Sequence, residues 1–93
     1  MQLPINYNSL SPVKRRIVRE AYIELQEGKC CYCGADLGGP PTDSVTQKHI
    51  FDKLFPPNFF KHPVHLHHDH DTGMTIGAVH AKCNAVLWQY HGQ

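Results

Sequence analysis

The sequence predicts a small α+β domain, and three observations support that prediction. The chain has 93 residues, which is enough for one domain and too few for two. Apolar residues recur at helical spacing between residues 12 and 28. Between residues 64 and 90, two short strand patterns flank a turn and precede a second helical pattern. We therefore expect a single domain over residues 1–93 with a thin core.

Composition and charge exclude several classes of protein. Hydrophobic residues make up 41% of the chain and charged residues 18%, which is typical of a globular protein and not of a disordered tail or a long coiled coil. No apolar run reaches the roughly 18 residues of a membrane helix, and the N-terminus lacks a signal-peptide pattern. The formal charge is only +1, so no overall field indicates a polyanionic partner. We expect a soluble, intracellular protein with no membrane partner.

Residues 1–28 are predicted to form an extended arm, with regular structure beginning after Ser11, and then a helix. Ser11 and Pro12 indicate the helix start, because serine caps free N–H groups and proline lacks the N–H that the first turn leaves unbonded. Gly28 is expected to end the helix in a left-handed conformation. The apolar residues expected on one face are Val13, Ile17, Val18, Ala21, Tyr22 and Leu25.

Basic side chains are concentrated in the first half of this helix, at Lys14, Arg15, Arg16 and Arg19. Positive charge at the N-terminal end of a helix opposes the macrodipole and adds little to helix stability. It suits contact with a phosphate backbone, and a solvated helix face is an equally good interpretation.

The middle of the chain is predicted to be a cysteine-bearing turn, a loop and a short helix. The turn covers residues 29–37 and is called the knuckle below; a loop rich in glycine and proline follows it. A helix is predicted over Val45–Phe55, ended by two prolines. Phe59 and Phe60 are expected to pack on the core, with an exposed wedge as the alternative.

Two residue pairs have the spacing of metal ligands. Cys30-x-x-Cys33 and His80-x-x-Cys83 would each present two side chains to one tetrahedral ion, usually zinc. Four protein ligands leave no open position, so the predicted zinc is structural and joins the knuckle to the last helix. Cys31 competes in principle, but a single intervening residue fits the turn poorly. Buried free cysteines are the alternative.

The C-terminal third is predicted to be a β-hairpin followed by a helix. The first strand begins at Val64, the turn covers residues 71–73, the second strand covers 74–79, and the helix covers 82–90. Gly77 in the second strand is expected to allow close backbone packing. Trp88 and Tyr90 are expected to be core or interface residues rather than platforms for base stacking.

The segment VHLHHDHDTGMTIGAVHAKCNAVL resembles the nuclease motif of the HNH endonucleases, also called ββα-metal or His-Me finger nucleases. It is most similar to the recombination endonuclease VII branch, in which D-H-D-H-x-T-G precedes a zinc-binding cysteine pair and an asparagine. The resemblance covers about thirty residues and the upstream Cys30-x-x-Cys33. It implies a zinc-stapled ββα-metal domain with an N-terminal helix, whose motif spans residues 62–93.

The resemblance also implies roles for individual residues. His68 takes the position of the general base, and His70 takes that of a second histidine that contacts the phosphate or supports the base. His67 and Asn84 take the positions of ligands for a catalytic divalent ion. A histidine at position 67, where the branch has aspartate, favours Mn²⁺, Ni²⁺ or Co²⁺ relative to Mg²⁺. His80 replaces the family's third zinc cysteine and remains a usable ligand.

Two features of the hairpin follow from these roles. Successive strand residues point to opposite faces, so a twist or bulge must aim His67 and His68 at one phosphate. Asp69 and Asp71 alternate with histidines and are expected to orient them through hydrogen bonds.

The implied activity is hydrolysis of DNA phosphodiester bonds by a histidine base and one divalent ion, which leaves 5′-phosphate ends. A monomer would nick one strand and a homodimer would make paired cuts. The alternative is a non-catalytic, zinc-stabilised nucleic-acid-binding module, which the histidine at position 67 supports. We expect the protein to be intracellular, either cytoplasmic or encoded by a phage or mobile element. Recognition would have little sequence specificity and would rest on Lys14, Arg15, Arg16, Arg19, Lys48, Lys53, Lys61 and Lys82.

Overall fold

A two-stranded antiparallel sheet contacted by two helices forms the centre of the computed structural model, which describes residues 1–92. The strands are β1 (Val64–His68) and β2 (Thr75–His80), and the helices are α1 (Pro12–Leu25), α2 (Asp43–Thr46) and α3 (Ala81–His91). Two short 3-10 helices cover Tyr7–Ser9 and Asp52–Leu54. The α+β prediction is confirmed.

Helix α1 begins as predicted and buries a different face. The hydroxyl of Ser11 accepts a hydrogen bond from the N–H of Lys14 at 3.2 Å, and Pro12 occupies the first turn. Glu27 and Gly28, after the helix end, both have left-handed φ angles, 55° and 75°. Of the apolar residues, only Val18 and Tyr22 are buried, because the strands contact α1 on that side. The prediction that the whole set faces the core is wrong for Val13, Ile17 and Leu25, which are exposed.

The N-terminal arm is bonded to the hairpin, so the expectation that regular structure begins after Ser11 is wrong. The N–H of Thr75 donates to the carbonyl of Ile5 at 2.9 Å, and the N–H of Ile5 donates to the Thr75 hydroxyl at 3.0 Å. The N–H of Tyr7 donates to the carbonyl of Gly73 at 2.8 Å. These contacts make the arm a partner of β2 and a source of core side chains.

The predicted helix over Val45–Phe55 is wrong: the structure has only the single turn of α2 and the second 3-10 helix there. Side chains of α3 occupy the backbone groups that a continuous helix would need. The Oε1 of Gln89 accepts from the N–H of Phe51 at 3.0 Å. The carbonyl of His49 accepts from the Gln89 amide at 3.0 Å and from the Tyr90 hydroxyl at 2.7 Å. Tertiary hydrogen bonds therefore replace the local helical ones.

The hairpin contains the irregularity that the adjacent histidines require. His67 lies opposite Gly77, whereas His68 lies opposite Thr75, so the register shifts between the two histidines. The extra residue on β2 is Ile76, which is exposed. A bulge of this kind adds local twist and redirects side chains at the strand end.

The core is small and includes the metal-type ligands. Val45, Val79, Val86 and Cys83 are the largest fully buried side chains, and α3 supplies two of them. Over residues 1–92, no helix combines the length and hydrophobicity that a membrane crossing requires.

Candidate metal centre and histidine-lined cleft

The two predicted ligand pairs meet in one cluster. The ligand atoms of Cys30, Cys33, His80 and Cys83 all lie within 4.8 Å of one another. His80 Nδ1 is 3.5 Å from the Sγ of Cys33 and 3.5 Å from the Sγ of Cys83. Typical zinc bond lengths at a tetrahedral angle put sulfur and nitrogen ligands about 3.5 Å apart. These four residues can hold a structural metal such as zinc.

The backbone of the knuckle prepares Cys30 for metal binding. Its Sγ accepts hydrogen bonds from the N–H of Tyr32 at 3.4 Å and of Cys33 at 3.5 Å. A hydrogen bond with the Cys83 thiol and these backbone N–H groups lower the pKa of Cys30 to about 4. The same bond and burial raise the pKa of Cys83. A thiolate is the metal-binding form of cysteine, so a lowered pKa of Cys30 favours metal binding.

His80 is oriented from the far side of its ring. Its Nε2 donates to the carbonyl of Asp36 at 2.9 Å, which leaves the lone pair on Nδ1 facing the three sulfurs. Cys31 lies outside the cluster: it is exposed, and its N–H donates to the carbonyl of Ala78 at 3.0 Å. The competing ligand that the sequence left open is therefore excluded by geometry.

A cleft of about 580 Å³ opens between α1, the hairpin, α3 and the segment after α2. Its size is that of a small-ligand site. Arg15 and Arg19 line it, and none of the lining residues within 1–92 is aspartate or glutamate, so its charge suits an anion. Five histidines also line it, and they are His62, His65, His67, His68 and His70.

The two residues predicted to bind a divalent ion lie side by side in this cleft. Asn84 and His67 both line it, and the Nδ2 of Asn84 lies 3.1 Å from the Nδ1 of His65. Burial, followed by the charge of His70, lowers the pKa of His67, which favours its neutral form. His65 had no assigned role. Alternate residues of a strand lie on the same face, so the position of His65 two residues before His67 could have predicted that it belongs to the site.

His68 lies in a stack of four side chains. The Tyr7 and His68 rings are 3.9 Å apart and nearly parallel, at 6°. The guanidinium of Arg15 lies 3.9 Å from the Tyr7 centroid and therefore on the other face of that ring. The His70 ring is 4.9 Å from His68 at 28°. Burial, and then the charges of His70, His67 and Arg15, lower the pKa of His68, and this favours the neutral form that a general base requires.

The predicted DNA-contacting residues divide into two groups. Arg15 and Arg19 face the cleft, whereas Lys14 and Arg16 are exposed on α1 and do not line it. The ammonium of Lys82 donates to the carbonyl of Thr46 at 3.0 Å and thereby anchors the end of α2. Of the predicted DNA-contacting residues within 1–92, only Arg15 and Arg19 line the cleft together with the histidines.

Asp69 bonds to the turn backbone and not to the histidines. Its Oδ1 accepts from the N–H groups of Asp71 at 2.8 Å and Thr72 at 2.9 Å. The bonds from Thr72 and Asp71 lower the pKa of Asp69. Asp71 is exposed. The expectation that this pair orients the histidines is wrong, and Asp69 stabilises the hairpin turn.

Comparison of the chain with protein-family models, curated proteins and solved structures finds no match. The resemblance to HNH nucleases therefore rests on the sequence motif alone. Any function must be argued from the cluster and the cleft.

Proposed function

We propose that this chain is a metal-dependent HNH endonuclease that hydrolyses DNA phosphodiester bonds in the histidine-lined cleft. One observation carries the proposal: His67, His68 and Asn84, the residues with implied catalytic roles, meet in a cleft that also presents two arginines and no carboxylate. The cysteine–histidine cluster would serve as the structural zinc site, with its four positions filled by protein.

Phosphodiester hydrolysis needs a base for the attacking water and positive groups around the phosphoryl oxygens. His68 supplies the base, since burial and nearby positive charge keep its ring neutral. Arg15 and Arg19 supply positive charge at the wall of the cleft. His70, stacked on His68, is placed to support the base or contact the phosphate.

His67 and Asn84 would hold the catalytic cation. His67 is neutral and offers an imidazole nitrogen, and the Asn84 amide offers an oxygen. When bound, a divalent ion there supplies Lewis-acid stabilisation of the phosphoryl charge and the leaving oxygen. An imidazole ligand favours Mn²⁺, Ni²⁺ or Co²⁺ over Mg²⁺.

Cleavage of supercoiled plasmid tests the proposal. We expect zinc-loaded protein to nick the plasmid when Mn²⁺ is added and to be slower with Mg²⁺. The His68→Ala variant should be at least about 100-fold slower, since a general base contributes that much or more. His91→Ala is the matched control, because His91 is exposed and does not line the cleft. Nicked circles before linear product indicate a monomer, and linear product from the start indicates a homodimer.

A non-catalytic nucleic-acid-binding module is the second candidate. It is favoured by the histidine at position 67, where the HNH branch that the motif resembles has a metal-binding aspartate. Folded, zinc-loaded protein that binds DNA but cuts it with none of these metals would establish this candidate. Equal cleavage by His68→Ala would also contradict the proposed mechanism.

A further inference from the structure

One end of the cleft is an apolar, aromatic surface, formed by Leu54, Phe55, Phe59 and Trp88 and called the aromatic wall below. The Phe55 ring lies 4.7 Å from Phe59 and 5.6 Å from Trp88. Trp88 is 43% exposed, so of the two expected places, core or interface, the core is excluded. The exposed aromatic surface of this wall lies inside the cleft and can therefore contact a ligand.

The aromatic wall adjoins the proposed catalytic groups. The Phe59 ring packs edge-on against His65, with 4.7 Å between centroids. The Nδ1 of the same His65 ring lies 3.1 Å from the Nδ2 of Asn84. His65 therefore contacts both the aromatic wall and Asn84.

We propose that the aromatic wall binds an unstacked nucleobase, next to the phosphate held by the arginine and histidine half of the cleft. This inference rests on the proposed function and adds a substrate preference to it. A nucleotide joins an anionic group to a flat ring with an apolar face, and the cleft offers a complementary surface to each part. Bases within a duplex have both faces covered, so the preferred substrate is single-stranded or locally unpaired DNA.

Binding of two matched single strands tests the wall without requiring cleavage. One probe is a labelled octanucleotide, and the other is the same sugar-phosphate chain without bases, both at one salt concentration and with no added divalent ion. We expect the octanucleotide to bind about tenfold more tightly, in the range that stacking of one base contributes. Trp88 is the only tryptophan in the chain, so its fluorescence should change with the octanucleotide and not with the abasic probe.

Substitutions then locate the effect. Trp88→Leu should remove most of the tenfold preference and leave abasic binding unchanged. Phe51→Leu is the matched control, since Phe51 is an exposed aromatic outside the cleft. Arg19→Ala should weaken both probes equally, because it faces the phosphate half. The wild-type comparison needs no substitution and stands if a variant misfolds.

Equal affinity for the two probes, or an unchanged preference in Trp88→Leu, would overturn the inference. Failure of the proposed function looks different. Base-dependent binding with no cleavage under any metal would support the aromatic wall and remove the nuclease. Cleavage of duplex and single strand at equal rates, with no base-dependent binding, would keep the nuclease and remove the wall.

Discussion

His68 is held on one face by a side chain from the opposite end of the chain. The Tyr7 ring stacks on it at 3.9 Å, and Arg15 holds Tyr7 through its ring and through a bond from Nε to the Tyr7 carbonyl at 3.3 Å. Stacked rings contribute roughly 0.5–1.5 kcal/mol beyond area burial. The stack restricts rotation of the imidazole, and a fixed base is part of catalytic positioning. In the proposed nuclease, Tyr7 would therefore be a positioning residue for His68.

Substitution of Tyr7 should reduce the rate of the chemical step. We expect Tyr7→Ala to lower kcat for plasmid nicking about tenfold, with KM changed less than about threefold, because the loss falls on orientation of the base. Tyr7→Phe keeps the ring and should stay within about twofold of wild type. Thermal unfolding of both variants separates this effect from loss of fold. A rise in KM at unchanged kcat would assign Tyr7 to DNA binding.

The pH dependence of cleavage follows from the environment of His68. Burial and the charges of His70, His67 and Arg15 lower its pKa below the ordinary value for histidine, about 6.5. In the proposed mechanism the neutral ring is the active form, so kcat should rise with pH through a midpoint below 6.5 and be flat above pH 7. Rates measured between pH 5 and 8 on protein shown to be folded test this. An acid limb centred above pH 7 would show that another group controls the rate.

Some of the site residues could be predicted from their spacing in the sequence. Others are brought together only by contacts between distant parts of the chain. Cys30-x-x-Cys33 and His80-x-x-Cys83 are predictable because the atoms that meet are three residues apart in each pair. Tyr7 meets His68 across 61 positions, and no local pattern signals that contact. The sequence also could not predict that Arg15 and Arg19 line the cleft while their basic neighbours do not, because the direction of each side chain depends on how α1 packs.

At the scale of elements, the exposed edge of β2 is closed by a side chain. Gln26, just after α1, accepts from the N–H of Ala78 at 2.9 Å through Oε1 and donates to the Ala78 carbonyl at 2.9 Å through Nε2. The Gln26 side chain thereby bonds the N–H and the carbonyl of Ala78, as the backbone of a third strand would. The neighbouring residue, Gly77, leaves room for this contact: a Cβ there would lie 2.8 Å from Gln26 Oε1.

Gln26→Ala should therefore destabilise the fold. The N–H of Ala78 would lose its partner, whereas the Ala78 carbonyl would keep the bond from the Cys31 N–H, and we expect the free energy of unfolding to fall by about 1–3 kcal/mol. Urea denaturation of the zinc-loaded protein measures this. Gln47→Ala is the control, since Gln47 is exposed and should change stability by less than about 0.5 kcal/mol. Equal midpoints for the two variants would mean that water satisfies the edge of β2 without Gln26.

Helix ends were easier to predict than helix extent. The start of α1 is encoded locally by Ser11 and Pro12 and is where the sequence indicates. The predicted helix over Val45–Phe55 failed because α3 binds its backbone groups at His49 and Phe51. The buried side of α1 was likewise set by the position of the strands, which the helical period does not encode.

At the scale of the whole molecule, the metal-type cluster joins two parts of a thin core. Cys30 and Cys33 lie in the knuckle, and His80 and Cys83 lie where β2 passes into α3. Cys33 and His80 are 47 residues apart, so a bound metal closes a long loop. In a small domain, metal binding of this kind becomes folding free energy.

Removal of the metal should unfold the domain. We expect one zinc ion per chain by mass spectrometry under native conditions, and loss of the cooperative thermal transition after treatment with a strong chelator. Cys33→Ala should lose the zinc and the transition, whereas Cys31→Ala should keep both, because Cys31 is outside the cluster. This matched pair separates ligation from general cysteine chemistry. A metal-free protein that melts at the same temperature as the zinc form would mean that the apolar core alone holds the knuckle to α3.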